Sequence, residues 1–180
     1  MNTLANKITI FRVLMIPVFL LLAYTGHTYW ALAVFVIASL SDMLDGYVAR
    51  HFNQITNFGK FMDPLADKVL VVAAMCWFVE CGRIPGWALA VVLLREFAVS
   101  GLRLIAVEQG RVIAAAKSGK IKTAATMVCL CLMLSSPAPG IDASAPDFIA
   151  QWSTAVILLT TVWSGIEYFW KNRDVFKESK

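Results

Sequence analysis

Long apolar runs separated by short polar segments recur along the whole chain. Six such runs can be drawn, and their approximate limits are 8–25, 30–51, 64–81, 85–107, 118–136 and 148–170. Each run is close to the roughly 20 residues that an α-helix needs to cross the hydrocarbon core of a bilayer. The connectors at 81–86 and 135–140 contain the glycine and proline typical of turns. The pattern predicts an all-α polytopic membrane protein with six transmembrane helices, formed by a single domain over residues 1–180.

Composition and charge agree with a membrane location. Hydrophobic residues make up 59% of the chain and charged residues 16%, which leaves too few polar side chains to cover a water-exposed surface. If both termini and the polar connectors at about 51–63 and 108–117 face the cytoplasm, every Lys and Arg except Arg83 lies on or toward that side. The net charge of +4 therefore indicates membrane orientation and no nucleic-acid partner.

Aromatic residues lie near the predicted ends of the spans. The positions near outer ends are Tyr29, Trp30, Trp87 and Trp152, and those near an inner end are Tyr168 and Trp170. Tyr and Trp are enriched where a membrane meets water. These residues are therefore interpreted as interface anchors.

Four aspartates lie in or beside two of the apolar runs. Asp42 and Asp45 fall in the second run, and Asp63 and Asp67 fall one helical turn apart at the start of the third. Pro64 would be tolerated there, in the first turn of a helix. The short connector predicts that the two helices are antiparallel neighbours, so both pairs of carboxylates should come together.

Two small residues share a helical face with the first pair of aspartates. At about 100° per residue, one face of the helix carries Asp42, Asp45, Gly46 and Ala49. Gly46 and Gly59 carry no side chain, so a ligand or a neighbouring backbone can come close. Helix packing through small residues is the alternative explanation for either glycine taken singly.

Carboxylates gathered at low dielectric need a countercharge, because otherwise they repel one another and are costly to keep ionised. Bound cations supply that charge. Oxygen ligands without a His or Cys partner favour magnesium or manganese, with calcium as a further candidate, over zinc or copper. Four carboxylates carry enough charge to hold two ions.

The spacing of these residues matches a known signature. D-x-x-D-G-x-x-A-R over residues 42–50 is followed, after eight residues, by G-x-x-x-D-x-x-x-D over residues 59–67. The chain thus resembles the CDP-alcohol phosphotransferases, whose fold has six spans. The resemblance implies a cytidine diphosphate donor, an alcohol acceptor, a divalent metal requirement and the release of cytidine monophosphate (CMP).

The resemblance also assigns roles to the signature residues. The implied metal ligands are Asp42, Asp45, Asp63 and Asp67, and the residues implied to contact the CDP group are Asp45, Gly46, Ala49, Arg50 and Gly59. Asp67 is in addition implied to be the general base. A carboxylate crowded by like charges has a raised proton affinity, which suits this role. Phosphoryl transfer itself depends mainly on positioning and charge stabilisation.

Shorter segments, one of which overlaps the signature, resemble the bacterial phosphatidylglycerophosphate synthases, one branch of that family. The segments are NKITIFR at 6–12, DPLADK at 63–68, REF at 95–97, SGLR at 100–103 and GKIKT at 119–123. Together they imply CDP-diacylglycerol as donor and glycerol 3-phosphate as acceptor. A relative that uses inositol phosphate, serine or phosphatidylglycerol as acceptor is the alternative. Membership of the family further implies a homodimer, and the charge distribution predicts that both termini and the active site face the cytoplasm of a bacterium.

Basic residues in or near the spans are candidates for binding an acceptor phosphate. Arg95 and Arg103 lie in the fourth run, and Lys117 and Lys120 lie near the inner end of the fifth. Arginine binds phosphate through two donors, and lysine adds a point charge. Snorkelling to the interface is the alternative for all but Arg95, which lies too deep. A pair between Arg95 and Glu96 is expected to have poor geometry, since adjacent helical residues point about 100° apart.

Arg12 is the remaining candidate for phosphate binding. Together with Asn6 and Thr9 it recurs every three residues at the entry of the first span. Helix capping and anchoring at the inner interface would explain these residues without a ligand. Their resemblance to the family's N-terminal pattern favours contact with a donor or acceptor phosphate, with Arg12 first among them.

A divalent-cation transporter is the competing class of function, since it would also place carboxylates within a membrane. Such a transporter would not need Gly46, Ala49 and Arg50 at the spacing of a nucleotide site. It would also not need arginines deep in a cation path. The sequence therefore favours the transferase.

Overall fold

Regular structure in this protein is helical throughout the part of the chain that can be described. The computed structural model describes residues 4–51, 57–111, 113, 114, 116–136 and 147–176. Within these ranges, side chains are described from Ile10 to Ser41 and from Lys68 to Val175. No β-strand occurs in the described ranges, so the prediction of an all-α fold is confirmed.

Six long helices follow one another along the described chain. They are α1, Leu4–Tyr24; α2, Thr28–His51; α3, Asn57–Glu80; α4, Gly86–Glu108; α5, Lys117–Ser135; and α6, Phe148–Lys171. A short 3₁₀ helix, Arg173–Phe176, follows α6. The helices agree closely with the predicted apolar runs except at the start of α3.

The early start of α3 changes one detail of the predicted site. The sequence predicts Pro64 in the first turn of this helix, with Asp63 and Asp67 at its start. Because α3 begins at Asn57, all three residues lie further inside the helix, and the first-turn position of Pro64 is wrong. Hydropathy marks where a helix becomes apolar, whereas the helical backbone here begins in a polar segment.

The first three helices belong to one compact unit, in which α1 contacts both α2 and α3. Buried residues of α1 recur every three or four positions and therefore form one face: Arg12, Ile16, Phe19 and Ala23. The Phe19 ring lies 5.7 Å from the Phe35 ring of α2, measured between centroids. Near the last turn of α1, Tyr24 donates a hydrogen bond of 2.5 Å to Glu80 of α3.

A second compact unit contains α4, α5 as far as Leu130, and α6. In it α4 contacts α6. The buried face of α6 consists mainly of small and hydroxyl-bearing residues: Ala150, Ser153, Thr154, Ile157, Thr161, Ser164, Gly165 and Tyr168. The 3₁₀ helix folds back onto α4, where Gln109 donates to the Val175 carbonyl at 3.1 Å.

The described helices differ in whether their length and apolar character suffice to cross a membrane. Among the described residues, only α6 is both long enough and apolar enough to span a bilayer. The described apolar parts of α1 and α2, Ile10–Tyr24 and Thr28–Ser41, are shorter. Six helices are thus observed in the described chain, and six transmembrane spans stay a prediction.

An ion pair connects the start of α6 to the connector before α4. Arg83 Nε lies 2.5 Å from Asp147 Oδ2, and the other carboxylate oxygen accepts from the Ala150 N–H at 3.0 Å, which caps α6. Partial burial acts to raise the pKa of Asp147. The hydrogen bonds from Arg83 and from the backbone N–H groups of Ala150 and Ile149 outweigh it and lower the pKa below its usual 3.8.

Two substitutions of Asp147 distinguish the contribution of the ion pair to stability from that of the helix cap. Asp147→Asn removes the charge but keeps a capping oxygen, whereas Asp147→Ala removes both. We expect the free energy of unfolding to fall by about 1 kcal/mol for Asn and about 2 kcal/mol for Ala. Thermal unfolding in mild detergent at neutral pH measures the difference. Equal midpoints for the wild type and both variants would contradict the assignment.

The same measurement has an expected pH dependence. A carboxyl group whose folded-state pKa is lowered stabilises the protein fully above its unfolded-state pKa, near 3.8. That stabilisation is lost as the pH falls through the lowered folded-state pKa. The gap between the wild type and Asp147→Asn should therefore be constant near neutral pH and close only in acid.

Candidate functional site

The predicted site residues are divided between the two compact units. Arg12 and the helices of the signature belong to the first unit. The second unit contains the other basic candidates: Arg95, Arg103, Lys117 and Lys120.

The signature lies on two helices that contact each other. Residues 42–50 fall in α2, and residues 59–67 fall in α3. The signature side chains lie outside the described ones: Asp42, Asp45, Gly46, Ala49, Arg50, Gly59, Asp63 and Asp67. Their helical backbone agrees with the sequence analysis, and their roles as ligands, base and nucleotide contacts stay predictions.

A contact between α1 and α2 shows which residue of α1 lies at the same height along the helix axes as the backbone of Asp42. The rings of Phe19 and Phe35 meet, and the short turn after Tyr24 makes the two helices antiparallel. Both helices rise by about 1.5 Å per residue. Arg12 precedes Phe19 by as many residues as Asp42 follows Phe35, so the backbones of Arg12 and Asp42 lie at about the same level.

The contact between α1 and α3 shows in the same way which residues of α3 have their backbone at the height of Arg12. Tyr24 bonds to Glu80, and these two helices run in the same direction because α2 connects them. Arg12 precedes Tyr24 by as many residues as Lys68 precedes Glu80. The backbones of Asp67 and Lys68 therefore also lie at the level of Arg12, to within about one helical turn.

Arg12 is fully buried, with 0% of its surface exposed. Its side chain continues the buried face of α1, one turn before Ile16. Anchoring at a membrane surface would leave the guanidinium in contact with water, so that explanation does not fit. A buried guanidinium at the level of the Asp42 and Asp67 backbones fits an electrostatic role within the unit.

Arg95 in the second unit lies on the buried face of α4. Val92, Val99 and Leu102 mark that face at spacings of three and four residues. The Arg95 side chain is only 13% exposed, which agrees with the expectation that it lies too deep to snorkel. A guanidinium with so little exposure to water must be compensated within the protein or by a ligand.

Glu96 supplies part of that compensation. Arg95 Nη1 lies 2.9 Å from Glu96 Oε1, and Lys122 Nζ of α5 lies 2.9 Å from the same oxygen. The expectation of poor geometry for a pair between Arg95 and Glu96 is therefore wrong. Adjacent Cβ atoms on a helix do point apart, but the long arginine side chain can bend around the helix and carry its guanidinium to the neighbour.

Two glycines make room for the Arg95 side chain. A Cβ atom on Gly165 of α6 would lie 3.3 Å from Arg95 Cγ, and a Cβ on Gly119 of α5 would lie 3.7 Å from Arg95 Nη2. The first distance is tighter than ordinary van der Waals contact, so the stem of Arg95 depends on the missing side chain. Gly119 and the buried Ser118 lie in the first turn of α5, the positive end of that helix.

One edge of the Arg95 guanidinium has unused donor capacity. Nε is buried and has no hydrogen-bond partner among the described groups. The Nε–H and one N–H of Nη2 point the same way in the guanidinium plane, opposite the side on which Nη1 binds Glu96. Two parallel donors at a helix N-terminus form an arrangement that fits the oxygens of a phosphate.

Arg103 is exposed and is held by Tyr168 of α6. Its Nε donates to the Tyr168 hydroxyl at 3.0 Å, and Tyr168 is only 2% exposed. The interpretation of Tyr168 as an interface anchor is therefore wrong. Tyr168 continues the buried face that includes Thr161 and Ser164, and this spacing of three and four residues is the signal that would have found it.

Three lysines lie near the start of α5, and only one of them is buried. Lys117 and Lys120 are exposed, and their role in phosphate binding stays a prediction. Lys122 is 4% exposed and reaches Glu96, a contact the sequence did not predict. Polar residues recur every four positions at Ser118, Lys122 and Thr126, and the structure shows that all three are buried. This spacing on one helical face was the signal available in the sequence.

Metal binding depends on the donor atoms that the side chains offer. Among the described residues, no group of three or more His, Cys, Asp or Glu side chains could hold an ion. The signature aspartates lie outside that set. Their chemistry, carboxylates only, fits magnesium or manganese.

The chain was compared with known proteins. A family model described as CDP-alcohol phosphatidyltransferase matches residues 2–163. A CDP-diacylglycerol–glycerol-3-phosphate 3-phosphatidyltransferase of Bacillus subtilis is 41% identical, with 99% of this chain and 100% of the relative covered. The Escherichia coli K12 protein of the same name is 38% identical, covering 89% and 90%. A probable phosphatidylglycerophosphate synthase of Mycobacterium tuberculosis H37Rv is 36% identical, covering 92% and 79%.

The matched range contains the whole signature and every basic candidate from Arg12 to Lys120. It also contains Glu96 and Lys122, which the structure adds to the site. The resemblance inferred from the signature is confirmed, and the chain belongs to the CDP-alcohol phosphatidyltransferase family.

Proposed function

We propose that this protein transfers the phosphatidyl group from CDP-diacylglycerol to glycerol 3-phosphate, producing phosphatidylglycerophosphate and CMP in phospholipid biosynthesis. The observation that carries the proposal is the 41% identity, over 99% of the chain, to a CDP-diacylglycerol–glycerol-3-phosphate 3-phosphatidyltransferase. Two further bacterial relatives with 36% and 38% identity have names that indicate the same reaction. The protein is accordingly a phosphatidyltransferase.

The surroundings of Arg95 support a phosphorylated acceptor. Glycerol 3-phosphate differs from an uncharged alcohol by its phosphomonoester, which carries up to two negative charges near neutral pH. The Nε and Nη2 edge of Arg95, beside the first turn of α5, offers two donors and a positive potential to such a group. Arg103, Lys117, Lys120 and Arg12 are proposed as further phosphate contacts.

The signature aspartates would act at the phosphorus atom of the donor that is transferred. Two Mg²⁺ or Mn²⁺ ions held by Asp42, Asp45, Asp63 and Asp67 would neutralise charge on the pyrophosphate of the donor. Asp67 takes the proton from the acceptor hydroxyl, whose oxygen forms a bond to the phosphorus that carries diacylglycerol. The bond from that phosphorus to the CMP oxygen breaks, and CMP leaves.

The remaining signature residues would bind the nucleotide. Gly46 and Gly59 permit close approach because they have no side chain. Arg50 supplies a cation to the donor diphosphate. Ala49 lies on the same helical face as Gly46, and its small side chain leaves space beside that face.

We further propose that all six helices span a bacterial cell membrane, with both termini and the active site on the cytoplasmic side. A donor with two acyl chains requires access to lipid. The exposed face of α6 supports this placement through large apolar side chains: Trp152, Leu159, Ile166 and Trp170. A homodimer is proposed on the family resemblance, and mass measurement in mild detergent would determine the oligomeric state.

An acceptor panel tests the proposed reaction. Purified protein in detergent, given CDP-diacylglycerol and Mg²⁺ or Mn²⁺, should release CMP with glycerol 3-phosphate but not with inositol phosphate, serine or phosphatidylglycerol. Serine has no phosphate and would leave the donors around Arg95 unpaired, whereas inositol phosphate also carries a phosphomonoester and therefore tests the choice of the alcohol itself. Comparable release with inositol phosphate would overturn the choice of acceptor, and no release with any acceptor would overturn the reaction.

Asp67→Asn tests the base. The amide cannot accept the hydroxyl proton, so we expect kcat to fall by about a hundredfold or more, with the donor KM changed by less than about threefold. Asp174→Asn, an exposed aspartate of the 3₁₀ helix, serves as the control and should retain its activity. Near-normal turnover of Asp67→Asn would refute the role as base.

Arg95→Ala tests the acceptor site. The KM for glycerol 3-phosphate should rise by about tenfold or more, while the donor KM changes by less than about twofold. The variant should fold, because Glu96 keeps Lys122 as a partner. Arg95→Lys should recover only part of the loss, since lysine lacks the two-donor edge. Arg173→Ala is the matched control, and an equal rise in both KM values for Arg95→Ala would contradict the proposed role.

A further inference from the structure

Glu96 belongs neither to the signature nor to the residues proposed to contact a substrate. Its carboxylate nevertheless binds two cations at once, the partly buried Arg95 on its own helix and the buried Lys122 on α5, each at 2.9 Å from Oε1. The side chains of the three residues are between 5% and 21% exposed. Because such a cluster is costly to remove from water, its arrangement calls for an explanation beyond helix packing.

We propose that Glu96 is a positioning residue, which fixes the Arg95 guanidinium so that its Nε and Nη2 edge is presented to the acceptor phosphate. The inference rests on the acceptor-binding role proposed for Arg95. It adds that Glu96 selects one orientation of the Arg95 guanidinium. It also adds that Lys122 acts through Glu96 and not on the substrate.

The donor used by Glu96 determines which edge is left for a ligand. With Nη1 directed at the carboxylate, the edge on the other side of the guanidinium, Nε and Nη2, is left for a phosphate. If Glu96 did not hold Nη1, the guanidinium could turn about its last torsions and offer any pair of donors. A fixed orientation reduces the conformational entropy lost when the acceptor binds.

The stem of Arg95 is held as closely as its head. Its Cγ lies against the backbone of Gly165, where a Cβ atom would approach to 3.3 Å, and its Nη2 lies near Gly119. Helix α6 thus restrains the start of the side chain, and Glu96 restrains its end. Together these two contacts leave little freedom to a side chain that is flexible by nature.

The third member, Lys122, sets the charge of the cluster. Two cations and one carboxylate carry one net positive charge, whereas Arg95 and Glu96 alone would be neutral. A net positive cluster attracts a phosphate, and a neutral one attracts it less. Without Glu96, the two cations would repel each other across a short distance and displace the guanidinium.

A double-mutant cycle tests the inference. Glu96→Gln keeps the size of the side chain and one acceptor oxygen but removes the charge. We expect it to raise the glycerol 3-phosphate KM by about five- to tenfold, with the CDP-diacylglycerol KM within about twofold of the wild type. In the Arg95→Ala background, the same substitution should change the acceptor KM by less than about twofold, since its effect passes through Arg95.

The outcomes separate the positioning role from the acceptor-binding role. If Arg95→Ala leaves the acceptor KM unchanged, the acceptor role of Arg95 fails. If Arg95→Ala raises that KM but Glu96→Gln does not, or if the two effects multiply independently, the acceptor role stands and the positioning role is overturned. Asp147→Asn, which breaks an ion pair elsewhere in the same unit, is the control and should lower thermal stability without changing the acceptor KM.

Gly165→Ala is a second route that leaves every charge in place, and it serves if Glu96→Gln does not fold. The added methyl group would push the Arg95 stem by a few tenths of an ångström. We expect the acceptor KM to rise by about threefold or more and the donor KM to stay within about twofold. An unchanged acceptor KM in folded Gly165→Ala would show that the placement of Arg95 does not matter, and would overturn the positioning role.

Discussion

A charge on a buried or lipid-facing helix must be balanced by another group of the protein or by a ligand, because its surroundings do not solvate it. This constraint accounts for the arrangement of the charged residues around Arg95 in the second compact unit. Arg95 and Lys122 share one carboxylate oxygen of Glu96, whereas the exposed Arg103 bonds to the hydroxyl of buried Tyr168. The balance is incomplete at Nε of Arg95, and that is where a ligand is proposed to bind.

The sequence predicted the larger features of the fold because they depend on local properties. Helices appear as long apolar runs, and the family appears as carboxylates and glycines at fixed spacing. The start of α3 at Asn57 escaped prediction because its first turns are polar. Hydropathy reports where a helix meets an apolar environment, whereas the helix itself is defined by backbone hydrogen bonds that polar residues form equally well.

Contacts between side chains were predicted less well because they depend on reach and on neighbouring helices. The angle between adjacent helical residues wrongly excluded the pair of Arg95 and Glu96, since it describes Cβ directions and not the ends of long side chains. Lys122 and Tyr168 acquire their roles from contacts with residues of α4 that are 26 and 65 positions away along the chain. Only their positions on the buried faces of α5 and α6 indicated that they point inward.

The contact between Gly165 and the Arg95 stem has a consequence for how this protein can change over evolutionary time. A larger residue at position 165 would meet the arginine stem at once, whereas a shorter residue at position 95 would leave an unfilled space beside the glycine. A substitution of different size at either position therefore costs strain or packing unless a complementary change occurs at the other. The two positions are therefore expected to covary among relatives, although 70 residues separate them in the chain.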